Sequence, residues 1–355
     1  MKLIDRYISQ EITIRFVFLF FLTTALLSLE EVYHHFYTLL QAHVSFTSGI
    51  NYYLAHSVVL LPLTIPIAFL LSLLSLFCFM HRHNELTALS ASGISFLRLI
   101  KTLWPIAIVL SLILLVANLW IIPESQTYTQ NYLKRITSKS NINSFYQGKN
   151  YLFYAGSLDH QTARDIIICT YDPETKQEIQ RLRADSAYFQ NDSWVFIDGQ
   201  ITYFNEKHTA ESVKNFDNLA DKTYNISPQM ILLQSESPEK LTFFQLTKLA
   251  NDSQSNNSGR INLYKFRICN LLLKSFIPIL LLWSCVPFVR RFRPRISLAI
   301  ILTQLVFYLF LISFATHLWS SIALRLSVHW LYACILPWII AFLLPLVLLR
   351  FSRHS

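Results

Sequence analysis

Residues 296–323, ISLAIILTQLVFYLFLISFATHLWSSIA, contain no Asp, Glu, Lys or Arg. A helix needs about 20 apolar residues to cross the hydrocarbon core of a bilayer, so this run predicts a membrane span. Working outward, five more apolar runs of suitable length occur, at about 12–32, 52–80, 99–122, 269–289 and 328–349. The sequence therefore predicts an α-helical membrane protein with six transmembrane helices.

The composition excludes an ordinary soluble enzyme. Of the 355 residues, 53% are hydrophobic and only 14% are charged, whereas an average soluble chain has about 25% charged residues. The apolar content is too high for a disordered chain, and 6 glycines are too few for collagen.

The formal net charge of +9 belongs to the apolar part of the chain. The polar stretch 123–268 contains 16 Lys and Arg against 16 Asp and Glu, which leaves 14 basic and 5 acidic residues elsewhere. A nucleic-acid-binding protein usually places its basic excess on a soluble domain, so no nucleic-acid partner is expected. Basic residues beside apolar runs are instead typical of membrane topology signals.

The basic clusters give the orientation. Short loops on the cytoplasmic side of a membrane protein are enriched in Lys and Arg. Alternating spans place four clusters on one face, namely Lys2 and Arg6; Arg82, Arg98 and Lys101; Arg290, Arg291, Arg293 and Arg295; and Arg350 and Arg353. The loop 33–51 on the other face has no Lys or Arg. Both termini are predicted to be cytoplasmic, with the 146-residue insert 123–268 on the opposite side.

The insert reads as an all-β domain. Short segments rich in aromatic and β-branched residues occur at 151–155, 165–170, 186–189, 194–197 and 200–204. Turn signals separate them at 172–173, 191–192 and 198–199, which favours a sandwich or jelly roll. Residues 251–259 (NDSQSNNSG) form a polar return segment. The predicted domains are 1–122, a membrane half; 123–268, the β domain; and 269–355, a second membrane half.

Enzymatic motifs are absent from the sequence. The phosphate-loop pattern is missing, because position 143 before Gly148-Lys149 is Asn and not Gly. No serine-nucleophile, zinc-protease or paired-cysteine motif occurs. We expect no catalytic residue, metal or cofactor in this chain. A secondary transporter is also disfavoured, because the spans show no charge pair near their midplanes.

Residues 81–95, HRHNELTALSASGIS, join the second and third spans on the predicted cytoplasmic face. Asn84 is an N-cap residue type, and Glu85 suits the positive end of a helix. Leu86 and Leu89 share one helical face, and Gly93 is a natural helix stop. These features predict a short helix across the membrane face at about 84–95. A connector that touches only lipid headgroups is the alternative reading.

Three features together resemble the LptF/LptG permease family, the membrane halves of the lipopolysaccharide exporter. They are the opening 3–8 (LIDRYI), the segment 84–95 with its NEL and ASGIS ends, and the order of three spans, β domain and three spans. The resemblance covers nearly the whole chain. Residues 4–7 (IDRY) lean slightly towards LptG.

The resemblance implies a permease subunit of an ABC-type exporter in the bacterial inner membrane. Its partners would be a paralogous permease, a dimer of an LptB-like ATPase and an LptC-like bitopic protein, with lipopolysaccharide as substrate. The β domain would lie in the periplasm and continue the lipid path. By the same resemblance, Glu85 would dock into a groove of the ATPase beside Leu86, Ala88 and Leu89, with Gly93 closing the coupling helix.

The family's first and fifth spans line the lipid cavity, which would place Phe307 and Phe314 on its apolar wall. The family tends to have basic residues on the outer part of span one, whereas this chain has Glu30, Glu31 and His34. Carboxylates repel lipid phosphates unless a divalent cation or a partner's Arg or Lys intervenes. Three readings stay open: hydrated interface residues, cations supplied by the partner, or a different headgroup.

A second hypothesis is a structural or assembly protein, a six-span anchor that displays a β domain without a substrate path. Photocrosslinkers at Phe307 or Phe314 distinguish the two hypotheses, because only a transporter should crosslink there to glycolipid.

Overall fold

The computed structural model describes residues 3–41, 45–94, 96–136, 144–159, 161–172, 174–175, 177–190, 193–205, 209–221, 223–236, 238, 240–251, 258–290, 298–325 and 328–351. The chain divides into two compact units. Met1–Tyr132 and Ile268–Ser355 form the membrane unit, and Leu133–Arg267 forms the β unit.

Twelve α-helices and one π-helical segment occur in the described residues. The first half contains α1 (Leu3–Gln41), α2 (Phe46–Val59), α3 (Leu61–Arg82), α4 (Glu85–Ala91), α5 (Phe96–Val116), the π-helical segment Ala117–Ile121 and α6 (Ile122–Ile136). After the sheet come α7 (Pro228–Ser235), α8 (Phe243–Ala250), α9 (Ser258–Lys274), α10 (Ile277–Arg290), α11 (Leu298–Arg325) and α12 (Trp330–Phe351).

The apolar runs are helical, as predicted. Four described segments are long and apolar enough to cross a bilayer, namely Leu3–Tyr37, Leu61–Arg82, Arg98–Leu133 and Trp330–Val347. The bent pair Arg260–Lys274 and Ile277–Pro287 makes a fifth if it is one broken span. The run at 296–323 forms most of the 28-residue helix α11, although residues 296–297 lie outside the described part. The number six stays a prediction.

Two predicted runs are interrupted near prolines. The second run divides at Leu60, two residues before Pro62, and becomes α2 and α3. The fourth bends by 56° between α9 and α10, where Pro278 is the second residue of α10. Proline lacks the N–H that would continue the preceding helix, so both breaks have a local cause.

The bend between α9 and α10 meets the π-helical segment. Asn118 Nδ2 donates to Ser275 Oγ at 2.9 Å, and both residues are buried. The Ser275 hydroxyl also donates to the Leu271 carbonyl at 3.0 Å. An unsatisfied polar group is costly in an apolar interior, so this hydrogen bond favours the two irregular helices staying together.

One apolar core holds the membrane unit. It includes side chains from α1, α3, α4, α5 and α10, among them Ile8, Phe69, Leu86, Leu103 and Leu282, which are each at most 3% exposed. The cluster includes the short helix α4, so that helix is packed into the unit.

The β unit contains one antiparallel sheet in the order β1 to β6. The strands are β1 (Ser144–Gln147), β2 (Tyr151–Leu158), β3 (Thr162–Tyr171), β4 (Glu178–Gln190), β5 (Ser193–Phe204) and β6 (Ala210–Asp221). Every strand pairs with its neighbours in sequence, so the sheet is a meander. The predicted α-helical membrane protein with an inserted β domain is confirmed, while strands β1 and β6 and helices α7 and α8 were not predicted.

The turn predicted at 198–199 is wrong. Residues 193–204 form one strand, and Asp198 adopts a φ of 49° inside it without reversing the chain. A side chain at Gly199 would collide with the Arg183 carbonyl and the Phe216 ring, so glycine is needed for close strand approach. The turn at Asp172 lies between β3 and β4 as predicted, whereas 191–192 and most of 251–259 lie outside the described residues.

The segment after β6 packs on the sheet. Trp194 Nε1 donates to the Ile226 carbonyl at 2.9 Å, and Tyr224, Ile226 and Ile231 are buried in the same aromatic core as Trp194. Burial raises the pKa of the Tyr224 phenol. The β unit is therefore closed by its own chain on this face.

Candidate functional site

Asn84 makes one backbone hydrogen bond to α3 and one to α4, the two helices on either side of it. Its N–H donates to the His81 carbonyl at 3.1 Å, and its own carbonyl accepts from the Ala88 N–H at 3.0 Å. Its φ of 55° lies in the left-handed region, which Asn tolerates better than most residues. Only the two-residue turn of His83 and Asn84 separates α3 from α4.

Gly93 ends the helix, as the sequence predicts. It has a φ of 78°, and the following Ile94 N–H donates to the Leu89 carbonyl at 3.0 Å. This is the hydrogen bond of a glycine-terminated helix end. The helix spans only Glu85–Ala91, which lies inside the predicted 84–95.

The two faces of α4 differ. Leu86 is 3% exposed and Leu89 is partly buried, and both pack in the apolar core of the membrane unit. Ala88 and Ala91 are exposed, and Glu85 is partly exposed. The resemblance assigns Leu86 to the ATPase contact; in this structure its side chain packs in the core of its own chain, and the contact stays a prediction.

Glu85 has a partner in α1 that the sequence did not reveal. The Tyr7 hydroxyl donates to Glu85 Oε1 at 3.3 Å, although 78 residues separate them. Two turns of α1 around Tyr7 also meet the start of α5. Asp5 accepts from the Thr102 hydroxyl at 3.2 Å and lies 3.8 Å from the Arg98 guanidinium.

A charge pair lies further along α1. Arg15 donates to Glu11 Oε2 through Nε at 3.1 Å and Nη2 at 2.9 Å. Its Nη1 donates to the Ser75 hydroxyl at 3.0 Å, and its guanidinium lies 4.5 Å from the centre of the Phe79 ring. The i, i+4 spacing of Glu11 and Arg15 is the signal that sequence reasoning missed.

The candidate cavity residues Glu30, Glu31 and His34 of α1 have different surroundings. Glu31 accepts a hydrogen bond from the Tyr52 hydroxyl, and its Oε1 lies 3.2 Å from His35 Nδ1 and 3.6 Å from His56 Nδ1. Tyr52 is fully buried and stacks on His56. We call Glu31, His35, Tyr52 and His56 the Glu31 cluster. It joins the carboxyl-terminal part of α1 to α2.

Glu30 and His34 lie on the exposed part of α1 and are not members of the Glu31 cluster. The three hypotheses given for Glu30, Glu31 and His34 stay predictions, and the structure adds a distinction between these residues. Hydroxyl and imidazole groups of the same chain surround the carboxylate of Glu31.

Apolar side chains cover the exposed surfaces of two helices. On α11, Phe307 is 60% and Phe314 is 53% exposed. The middle of α1 presents an apolar surface groove lined by Thr13, Ile14, Val17, Phe18, Phe21 and Leu22. Surfaces of this kind suit acyl chains or partner helices.

Metal chemistry finds no support in the described part of the chain. No group of three His, Cys, Asp or Glu side chains there is arranged to hold a metal ion. The five cysteines are present as free thiols.

These features define a multi-pass helical membrane protein with an inserted antiparallel β domain and a short packed helix between two of its apolar helices. The family model of the lipopolysaccharide export system permease LptF/LptG matches residues 6–350. The chain belongs to this family, and it is therefore a transport subunit and not an enzyme. A search of curated proteins gives no match.

Proposed function

We propose that this chain is the permease subunit of an ABC-type exporter that extracts lipopolysaccharide from the inner membrane and passes it to a periplasmic bridge. ATP hydrolysis takes place in a separate LptB-like ATPase dimer. A paralogous permease completes the heterodimer, and an LptC-like bitopic protein joins it. The proposal is supported by the family match over 6–350 and by helix α4, which is packed on the membrane unit and leaves one face exposed.

The α4 site has the form of a docking surface. Leu86 and Leu89 pack one face of the helix against the core of the membrane unit. The small side chains of Ala88 and Ala91 are exposed and allow a partner to approach closely. Glu85 supplies one negative charge at the helix start, which suits an Arg or Lys in a protein groove. Leu89 and Gly93 act within the helix, as support and stop.

The coupling part is tested by charge reversal. Glu85→Arg in the full complex should reduce copurification of the cytoplasmic ATPase at least tenfold, because a repelled cation replaces an ion pair. Glu30→Arg is the matched control, since it makes the same charge change on an exposed residue of the membrane unit. Wild-type ATPase yield with Glu85→Arg contradicts the docking role.

The transport part is tested on α11. A photocrosslinker at Phe307 or Phe314 should yield lipopolysaccharide adducts in native membranes, because the family's fifth span lines the lipid cavity and both side chains are exposed. Ile340 on α12, 54% exposed, is the control and should capture phospholipid. Crosslinks at α11 to phospholipid or protein alone would support the structural anchor instead.

The edge strand β6 is the proposed docking site for the LptC-like protein. The other outer strand, β1, is covered, because Phe145 N–H donates to Ser235 Oγ and Gln147 N–H donates to Gln234 Oε1 of α7. Within the described residues, β6 pairs only with β5. An unpaired edge accepts a strand from another β domain.

The orientation in this proposal follows from the basic clusters. Both termini and α4 lie in the cytoplasm, and the β unit, which is part of the electrically neutral stretch 123–268, lies in the periplasm. This places Glu85 where a cytoplasmic ATPase can reach it.

A further inference from the structure

We infer that Tyr7 is a positioning residue that orients the Glu85 carboxylate and joins the movement of α4 to α1. The inference rests on the proposed docking of Glu85 to the ATPase. It concerns the next step, the transfer of the ATPase's movement into the membrane unit.

The geometry divides the two oxygens of the Glu85 carboxylate. Oε1 accepts the hydrogen bond of the Tyr7 hydroxyl at 3.3 Å. No other hydrogen bond to Glu85 occurs in the described part of the chain, and its side chain is partly exposed. Oε2 is therefore available to an Arg or Lys side chain of the ATPase while the Tyr7 hydroxyl remains hydrogen-bonded to Oε1.

Apolar packing supports the same connection. Ile4 and Ile8 of α1 belong to one apolar cluster with Leu86 and Leu89 of α4. Asp5 adds two polar contacts to the start of α5, through Thr102 and Arg98. The first turns of α1 are therefore fixed to the elements on both sides of the α4 site.

Helix α1 is suited to carry a movement over a long distance. It runs unbroken for 39 residues, so a shift at Tyr7 reaches Glu31 about 36 Å away at about 1.5 Å per residue. Between these positions Phe18 and Phe21 are each 67% exposed. On another face of α1, Phe16 and Phe20 pack against the core of the membrane unit, so a shift of this helix also reaches that core.

The role assigned to Tyr7 is mechanical and not catalytic. When the ATPase moves, its Arg or Lys side chain shifts together with the Glu85 carboxylate that it binds. The Tyr7 hydroxyl, which is hydrogen-bonded to that carboxylate, moves with it. Without the hydroxyl, α4 moves against α1 with only apolar contacts between them. ATP hydrolysis then continues while less lipid is moved.

The test compares Tyr7→Phe with wild type in the purified full complex, reconstituted in lipopolysaccharide-containing proteoliposomes. ATPase copurification should be unchanged, while lipid moved per ATP hydrolysed should fall about twofold, because a long and exposed hydrogen bond lies at the low end of the usual range. Tyr37→Phe is the matched control on the same helix, because that hydroxyl is exposed and has no hydrogen bond in the described residues. A wild-type ratio in Tyr7→Phe overturns the inference.

A double variant separates positioning from general stability. In complexes recovered with Glu85→Ala, adding Tyr7→Phe should lower the transport ratio no further, since the acceptor is already gone. An equal loss in both backgrounds would mean that Tyr7 acts elsewhere and would overturn the inference. Failure of the proposed function shows differently, as full ATPase yield with Glu85→Arg, whatever Tyr7→Phe does.

Discussion

The amino-terminal end of α1 and its middle present opposite surfaces. At the end, Ile8 and Ile12 are at most 1% exposed, and polar groups bond to α3, α4 and α5. In the middle, Phe18 and Phe21 are each 67% exposed. On another face of the same stretch, Phe16 and Phe20 pack against the core, and the Ser28 and Ser57 hydroxyls form a hydrogen bond before the Glu31 cluster is reached. Helix α1 is therefore held by polar contacts at both ends, whereas its middle packs on the core with one face and leaves another face uncovered, which suits contact with further molecules.

The largest effect is expected from breaking the attachment inside the apolar run. Glu11→Ala leaves the Arg15 guanidinium without its carboxylate, and an uncompensated charge in a partly buried site should cost about 3 kcal/mol of unfolding free energy. Thermal unfolding in detergent measures it.

The double variant Glu11→Ala/Arg15→Ala is the control for this first experiment and should regain part of the loss, because no unpaired charge remains. Equal melting temperatures for Glu11→Ala and wild type would mean that the pair does not attach α1.

A smaller effect is expected at the other attachment. Glu31→Gln keeps an acceptor for the Tyr52 hydroxyl but removes the negative charge facing His35 and His56. The loss should be about 1 kcal/mol, seen as a small decrease in melting temperature.

Glu30→Gln makes the same chemical change on the exposed neighbouring residue and should leave the melting temperature unchanged. If the two variants melt alike, the Glu31 cluster does not hold α1 to α2.

The smallest effect is expected in the middle of α1. Phe21→Ala should change the stability of the isolated chain by less than about 0.5 kcal/mol, because the ring makes few contacts within it. Phe69→Ala, at a fully buried phenylalanine, should cost about 3–5 kcal/mol in the same assay. A comparable loss at Phe21 would show that the middle of α1 is covered.

Much of the fold was predictable because its signals are local. Apolar runs predict spans, the prolines at 62 and 278 stand beside the two breaks, and Gly93 marks a helix end. Strands β2 to β5 follow from aromatic and β-branched segments. Strand β6 was missed because it is mostly polar and exposed, so it lacks the alternation that marks a half-buried strand.

The site was only partly predictable, since its contacts join distant positions. Glu85 stands out as an acid beside basic residues, but its bond to Tyr7 spans 78 residues. Glu30 and Glu31 are adjacent residues of the same type, so the sequence does not distinguish them. They differ through the contacts of Glu31 with Tyr52 and His56, which come from another helix. Periodicity predicts which face of a helix is apolar and does not identify the partner of a single polar side chain.

The connection at Asn84 is only two residues long, and this short connection fixes the rotation of α4 about its own axis. One residue added between α3 and α4 turns the following helix by about 100°, since a turn contains 3.6 residues. Leu86 would then leave the core, and Glu85 would point away from Tyr7. An extra residue after Gly93 leaves both side chains where they are. Changes of chain length on the two sides of this seven-residue helix should therefore have very unequal consequences.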